Sequence, residues 1–197
     1  MIYKELYDLI CCIDEQETFA RNFDCFLDFS LSFFNSNPTD YQRAYHKSMD
    51  YSMKERLLKA FECYGKCSMN YSDALGDMFL EIRETRDQTF TPSHVADVMS
   101  EMACVGDGCI TDLCCGSGRL LLSAIKVARS RGFEPIVMAN DISAFCAKMC
   151  LLNMCINSVC GCVSVGDAST DTFSKRYEIE RLSVLGISFV HFFEKNL

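Results

Sequence analysis

Residues 111–125, TDLCCGSGRLLLSAI, run from a short apolar stretch ending in an acid, through a glycine-rich turn, into a helix-forming segment. A strand–glycine turn–helix sequence aims backbone amides at one spot and lets a ligand approach the main chain there. The surrounding rhythm extends the unit. CITDL (109–113) reads as a short buried strand and residues 117–131 as a helix. PIVMAND (135–141) reads as a second strand with Pro135 at its start, residues 143–156 as a second helix, and CVSVGD (162–167) as a third strand. Strands separated by helices of this length predict a parallel α/β sheet with right-handed crossovers.

The first 87 residues carry a different period. Phe19, Phe23, Phe26, Ser30 and Phe33 recur at three- and four-residue spacing, so residues 17–35 read as an amphipathic helix ended by Asn35–Pro38. Residues 50–66 and 72–86 read as two more helices, the latter with Ser72 as N-cap. QTFTPS (88–93) breaks the pattern, since the residue before a proline is biased away from helix. Ser93 then caps a helix over 94–104, with Val95, Val98, Met99 and Met102 expected inward. The chain thus divides into a helical N-terminal region, 1–87, and a partial Rossmann-like α/β region, 88–197.

Three strands end in acids, Asp112, Asp141 and Asp167, at the carboxyl edge where open parallel sheets bind ligands. Each acid taken singly also reads as a local cap, and the glycines as a plain turn. A phosphate cradle calls for GxGxxG or GxxxxGK[ST]; residue 121 is Leu and no lysine follows Gly118. Asp112 also repels phosphate and suits a cationic ligand, such as the amino and sulfonium groups of S-adenosylmethionine. Asp141 stands where a carboxylate takes ribose hydroxyls, and Asp167 where one accepts from an adenine amino group.

Composition narrows the rest. There is no run of 18 apolar residues and no basic, apolar leader, which predicts a cytoplasmic chain without a membrane span. The fourteen cysteines show no CxxC pair, and there are three histidines, so reduced core thiols are expected and no metal. The pair Cys63 and Cys67 lacks further ligands, and Cys146, Cys150 and Cys155 read as one apolar helix face. A net charge of −8 opposes unaided binding of DNA, whose phosphates demand neutralisation.

The segments QTFTPSHVADVMSEM, DLCCGSGRLLLSA, ANDIS and VGDA together resemble the adenine-specific DNA methyltransferases, in particular the modification subunit of type I restriction systems. The likeness covers roughly residues 72–168, including the leader ALGDMFLEI. It implies an S-adenosylmethionine methyltransferase sheet after the helical bundle. Phe90, Thr91 and Pro92 match the family segment over the methionine end of the cofactor. Asp112, Gly116 and Gly118 match its loop, and Cys114 stands where a bulky residue is frequent. Asp141 and Ile142 match the ribose acid and the adenine contact. Asp167, with Ala168 beside it, matches the acid after the third strand.

The family's catalytic Asn/Asp-Pro-Pro-Tyr/Phe tetrapeptide has no counterpart, since the three prolines are Pro38, Pro92 and Pro135. That element holds the adenine once it has been flipped out of the duplex. LSVLGISFVHFF (182–193) is expected to supply one or two strands beside the first, with His191 as a packed histidine. The resemblance therefore implies an S-adenosylmethionine-binding relative that does not methylate DNA alone. Such a relative is expected to reach DNA through a partner subunit and to form a homo- or hetero-oligomer. The alternative is an inactive binding or regulatory module that has kept the fold.

Overall fold

The computed structural model describes residues 3–39, 42–43, 47–82, 90–103, 106, 108–184 and 187–195. Helices α1 (Lys4–Cys11), α2 (Phe19–Ser32), α3 (Tyr51–Cys67) and α4 (Ala74–Ile82) come first. Then follow α5 (Ser93–Met102), β1 (Cys109–Asp112), α6 (Arg119–Ser130), β2 (Ile136–Asp141), α7 (Ala144–Ile156), β3 (Gly161–Asp167), β4 (Thr172–Val184) and β5 (Ile187–Lys195).

Local chemistry sets most of the helix starts. Thr18 accepts from the Arg21 amide, Asp50 from Met53 at 2.7 Å, and Ser143 from Cys146. Each gives an otherwise unpaired first-turn N–H a partner. The start of α4 differs from expectation. The Asp73 carboxylate, not Ser72, accepts from the Gly76 amide at 3.0 Å, while the Ser72 hydroxyl lies 2.6 Å from that of Tyr3. Likewise Pro92 occupies the cap of α5, and Ser93 makes no capping bond there. The expected extension of α4 to residue 86 runs into 83–89, outside the described residues, as does residue 104 for α5.

The sheet order is β1-β2-β3-β4-β5, with β1, β2 and β3 parallel and β4 and β5 antiparallel. The first three strands and their crossovers match the expectation of a partial Rossmann-like sheet behind helices. The tail corrects it: β4 and β5 extend the sheet from β3, at the opposite end from β1. Only residues 168–171 separate β3 from β4. A connection so short returns the chain antiparallel on its neighbour, whereas reaching past β1 requires a crossover of a dozen or more residues. β1 is consequently an edge strand, with Cys109 and Thr111 exposed, not the buried strand its sequence suggests.

Helix α7 packs between the sheet and α2, and nine of its thirteen residues are buried, including Cys146, Cys150 and Cys155. A helix apolar all round belongs in such an interior. The core is continuous. Leu6, Phe23, Phe26, Leu57 and Tyr64 of the N-terminal helices join Leu122, Leu152 and Met154, and then Val137, Val163, Ile179 and Phe192 of the sheet. The aromatic stripe of α2 enters this core through Phe23 and Phe26, while Phe33 remains exposed and stacks on Phe61 at 4.9 Å.

Helix α5 is rotated from expectation. Its buried residues are Ala96 and Ser100, while Val95, Val98, Met99 and Met102 are exposed. Ala96 lets the two backbones approach, and Asp97 accepts from the Ser123 hydroxyl of α6 at 2.5 Å. The small and polar face docks on α6, and the larger apolar side chains point away.

Candidate functional site

A cleft of about 380 Å³ opens at the carboxyl ends of β1, β2 and β3. Of the eleven residues singled out in the sequence, Phe90, Cys114, Gly116, Asp141, Ile142, Asp167 and Ala168 line it. Thr91, Pro92, Asp112 and Gly118 do not, and each has a supporting place nearby. The Thr91 carbonyl accepts from Arg119 Nη1 at 3.2 Å. Asp112 Oδ1 accepts from the Cys114 amide at 3.1 Å and so shapes the turn. Gly118, at φ +87, opens α6 against α7, where a Cβ would lie 2.9 Å from Cys150 Sγ.

The turn is held from the second strand. Asp141 Oδ2 accepts from the Gly116 amide at 2.8 Å, its Oδ1 accepts from the Ser143 amide at 2.8 Å, and the Cys115 amide donates to the Asn140 carbonyl at 2.9 Å. Gly116 has φ +54, and a Cβ there would stand 3.3 Å from the Phe90 ring. Phe90 closes that side and belongs to an aromatic row, 5.7 Å from Phe79, which stacks on Phe145 at 5.3 Å. Asp167 is exposed. The Ser169 hydroxyl and amide both donate to its Oδ1, at 2.6 and 2.9 Å, and hold its carboxyl below the usual carboxylate range. The hydrogen bond with Cys150, together with burial, pushes the Cys115 thiol up, so it stays neutral within the loop.

Leu113, Asn140, Cys146, Gly166 and Ser169 also line the cleft and were not singled out beforehand. Asn140 is the most informative of them. Its Nδ2 donates to the Leu113 and Gly166 carbonyls, both at 3.1 Å, tying the loops after β1 and β3 together. Two carbonyl partners fix the amide orientation, so the Oδ1 that lacks a partner is assigned by the network. An Asn facing away from its neighbouring acid on a strand was the available signal.

Behind the loop lies a second assembly that sequence reading passed over. Asp73 Oδ2 accepts from Arg119 Nε at 2.9 Å and from the Ser117 hydroxyl at 2.5 Å, while Arg119 Nη2 also pairs with Asp77. Asn153 Nδ2 donates to Asp73 Oδ1 and to the Ser117 carbonyl, and its Oδ1 accepts from the Tyr64 hydroxyl at 2.7 Å. This buried network joins α3, α4, the glycine loop and α7. Its sequence signal was a lone arginine opening an apolar helix.

A family model for the N-6 DNA methylases matches residues 71–182. Neither the curated proteins nor the solved structures contain a significant match. The matched span begins just ahead of Asp73, takes in the glycine loop and all three acid-ended strands, and covers more than half of the 197 residues, so the chain belongs to the N-6 DNA methylase family.

Proposed function

We propose that the cleft binds S-adenosylmethionine and that this chain is the cofactor-holding part of an adenine-directed DNA methylation system. The observation that carries the reading is the Asp141 carboxylate, which holds the glycine loop by one oxygen and borders the cleft. A carboxylate has about four acceptor sites. The Gly116 and Ser143 amides use two, which leaves two for vicinal ribose hydroxyls. The cleft volume falls in the roughly 300–1,000 Å³ range of small-molecule sites. Asp141 and Asp167 give its lining a negative bias that suits a sulfonium ligand and disfavours phosphate.

In this reading Gly116 lets the ligand approach the main chain, and Phe90 covers the end of the cleft near the loop. Thr91 and Pro92 position Phe90, and Arg119 fixes Thr91. Ile142 packs on the adenine and Asp167 accepts from its amino group, with Ala168 alongside. Asp112, Cys114 and Gly118 keep the turn in shape. The cofactor, when bound, supplies a transferable methyl group. The sequence contains no adjacent prolines and therefore no tetrapeptide to hold a flipped adenine, so the chain alone is expected not to methylate DNA.

Equilibrium dialysis with labelled S-adenosylmethionine tests the assignment. Asp141→Ala is expected to weaken binding by about 1–3 kcal/mol, roughly 5- to 150-fold. An unchanged affinity would mean the ribose is held elsewhere. Appreciable methyl transfer to DNA by the pure chain would contradict the second half of the reading.

A further inference from the structure

The cleft offers acceptors, and the donors around it are already in use. The Gly116 amide is given to Asp141 Oδ2 at 2.8 Å, and the amide and hydroxyl of Ser169 to Asp167 Oδ1 at 2.9 and 2.6 Å. Asn140 spends its Nδ2 on the Leu113 and Gly166 carbonyls, both at 3.1 Å. Within the glycine loop, the Cys114 amide goes to Asp112 Oδ1, that of Cys115 to the Asn140 carbonyl and that of Gly118 to the Cys115 carbonyl. A glycine turn ahead of a helix commonly offers such amides to an anion. This turn has used them internally. Charge points the same way. Asp141 and Asp167 line the cleft, and among the described residues that line it there is no Lys, Arg or His. Arg119, which opens α6, is committed to Asp73, Asp77 and the Thr91 carbonyl.

We propose that Asp141 and Asp167 make the cleft selective for the charge of its ligand, so that it holds the sulfonium form of the cofactor more tightly than the neutral thioether left after methyl transfer. This rests on the reading of the cleft as an S-adenosylmethionine site and adds a direction to it: the spent form is the weaker ligand and does not block the cleft. Transfer to an adenine amine leaves the electron pair of the broken S–C bond on sulfur, the amine sheds a proton, and the ligand's positive charge is lost. The two forms share the adenine, the ribose, the amino group and the carboxylate, so contacts to those groups cancel in a comparison. What remains is one methyl and one unit of charge, on the sulfur attached to the ribose that Asp141 is assigned to hold. A single carboxylate about 7 Å from a unit positive charge favours it roughly 3-fold at the dielectric of water and roughly 50-fold at that of a protein surface.

Calorimetric titration of the full chain with S-adenosylmethionine and, separately, with S-adenosylhomocysteine measures the ratio. The sulfonium form is expected to bind at least about fivefold tighter. An analogue with a protonated amine in place of the sulfonium should side with the charged form. Raising the ionic strength from about 0.1 to 1 M shortens the screening length from about 10 to 3 Å and should narrow the ratio. Asp167→Asn keeps an acceptor for Ser169 and removes the charge. It should weaken both ligands through the shared adenine contact and reduce their ratio at least about twofold. Glu15→Gln, at an exposed position between α1 and α2, removes the same unit of charge from the chain and should leave the ratio unchanged. Equal affinities, or tighter binding of the thioether, would overturn the proposal and leave the cofactor reading standing. A ratio that neither Asp167→Asn nor salt moves would overturn the role given to the carboxylates. Binding of neither ligand would instead remove the cofactor reading, and the proposal with it.

Discussion

Arg119 makes its ion pairs in the interior, with Asp73 and Arg119 both under 10% exposed. Removing one partner of a buried pair leaves an uncompensated charge, at a cost of about 3–5 kcal/mol. Arg119→Met is therefore expected to lower unfolding stability by that amount. Tyr64→Phe, which strips one bond from Asn153, is expected to cost about 1–3 kcal/mol. Urea titrations with unchanged slopes check both, and a loss under 1 kcal/mol for Arg119→Met would refute the role given to the network. Titration adds a second expectation at this scale. Burial pushes the Cys63 thiol from an ordinary 9.0 up to about 11, with Cys67 adding to the effect. Burial raises the Cys155 thiol and the Tyr64 hydroxyl as well. A raised folded-state pKa favours the neutral form, so its contribution is complete below pH 9 and is lost as pH rises through 11. The melting temperature should fall across that window, and Cys63→Ala should soften the fall.

Helix α5 shows where element-level reading fails. Its apolar residues have helical spacing, which established a helix but not which face docks. Ala96 and Ser100 won because backbone approach and the Asp97–Ser123 bond hold the helix on α6. Ala96→Leu is expected to destabilise by about 1–3 kcal/mol through overpacking. Met99→Lys should stay within about 0.5 kcal/mol, as exposed substitutions do. Comparable losses for the two variants would contradict the observed orientation. The three parallel strands and their helices were legible because each strand is a short apolar run ending in an acid and each helix is long enough to cross over. The position of β4 and β5 was not, because hydrophobic pattern specifies a strand without naming its neighbour. The short link after Asp167 is what decided it. Around the cleft, residues whose chemistry stands out in sequence, Gly116, Asp141 and Asp167, are among those that line it. Asn140 and Asp73 were missed because their importance lies in partners 26 to 80 residues away.

At the scale of the molecule, the N-terminal helices and the sheet share one apolar core, crossed by the Tyr64–Asn153–Asp73–Arg119 network. The helical region thereby fixes the glycine loop from behind and is part of the cleft's support. No helix among the described residues is long and apolar enough to cross a membrane, and the net charge of −8 opposes unaided binding to DNA phosphates. The central claim is that these parts build a working S-adenosylmethionine site. Calorimetric titration of the cofactor into the purified chain tests it most directly. Binding of one cofactor per chain at micromolar affinity, weakened by about 1–3 kcal/mol in Asp141→Ala, is the predicted result. No heat and no saturation up to millimolar cofactor, from a chain with folded circular dichroism, would contradict it.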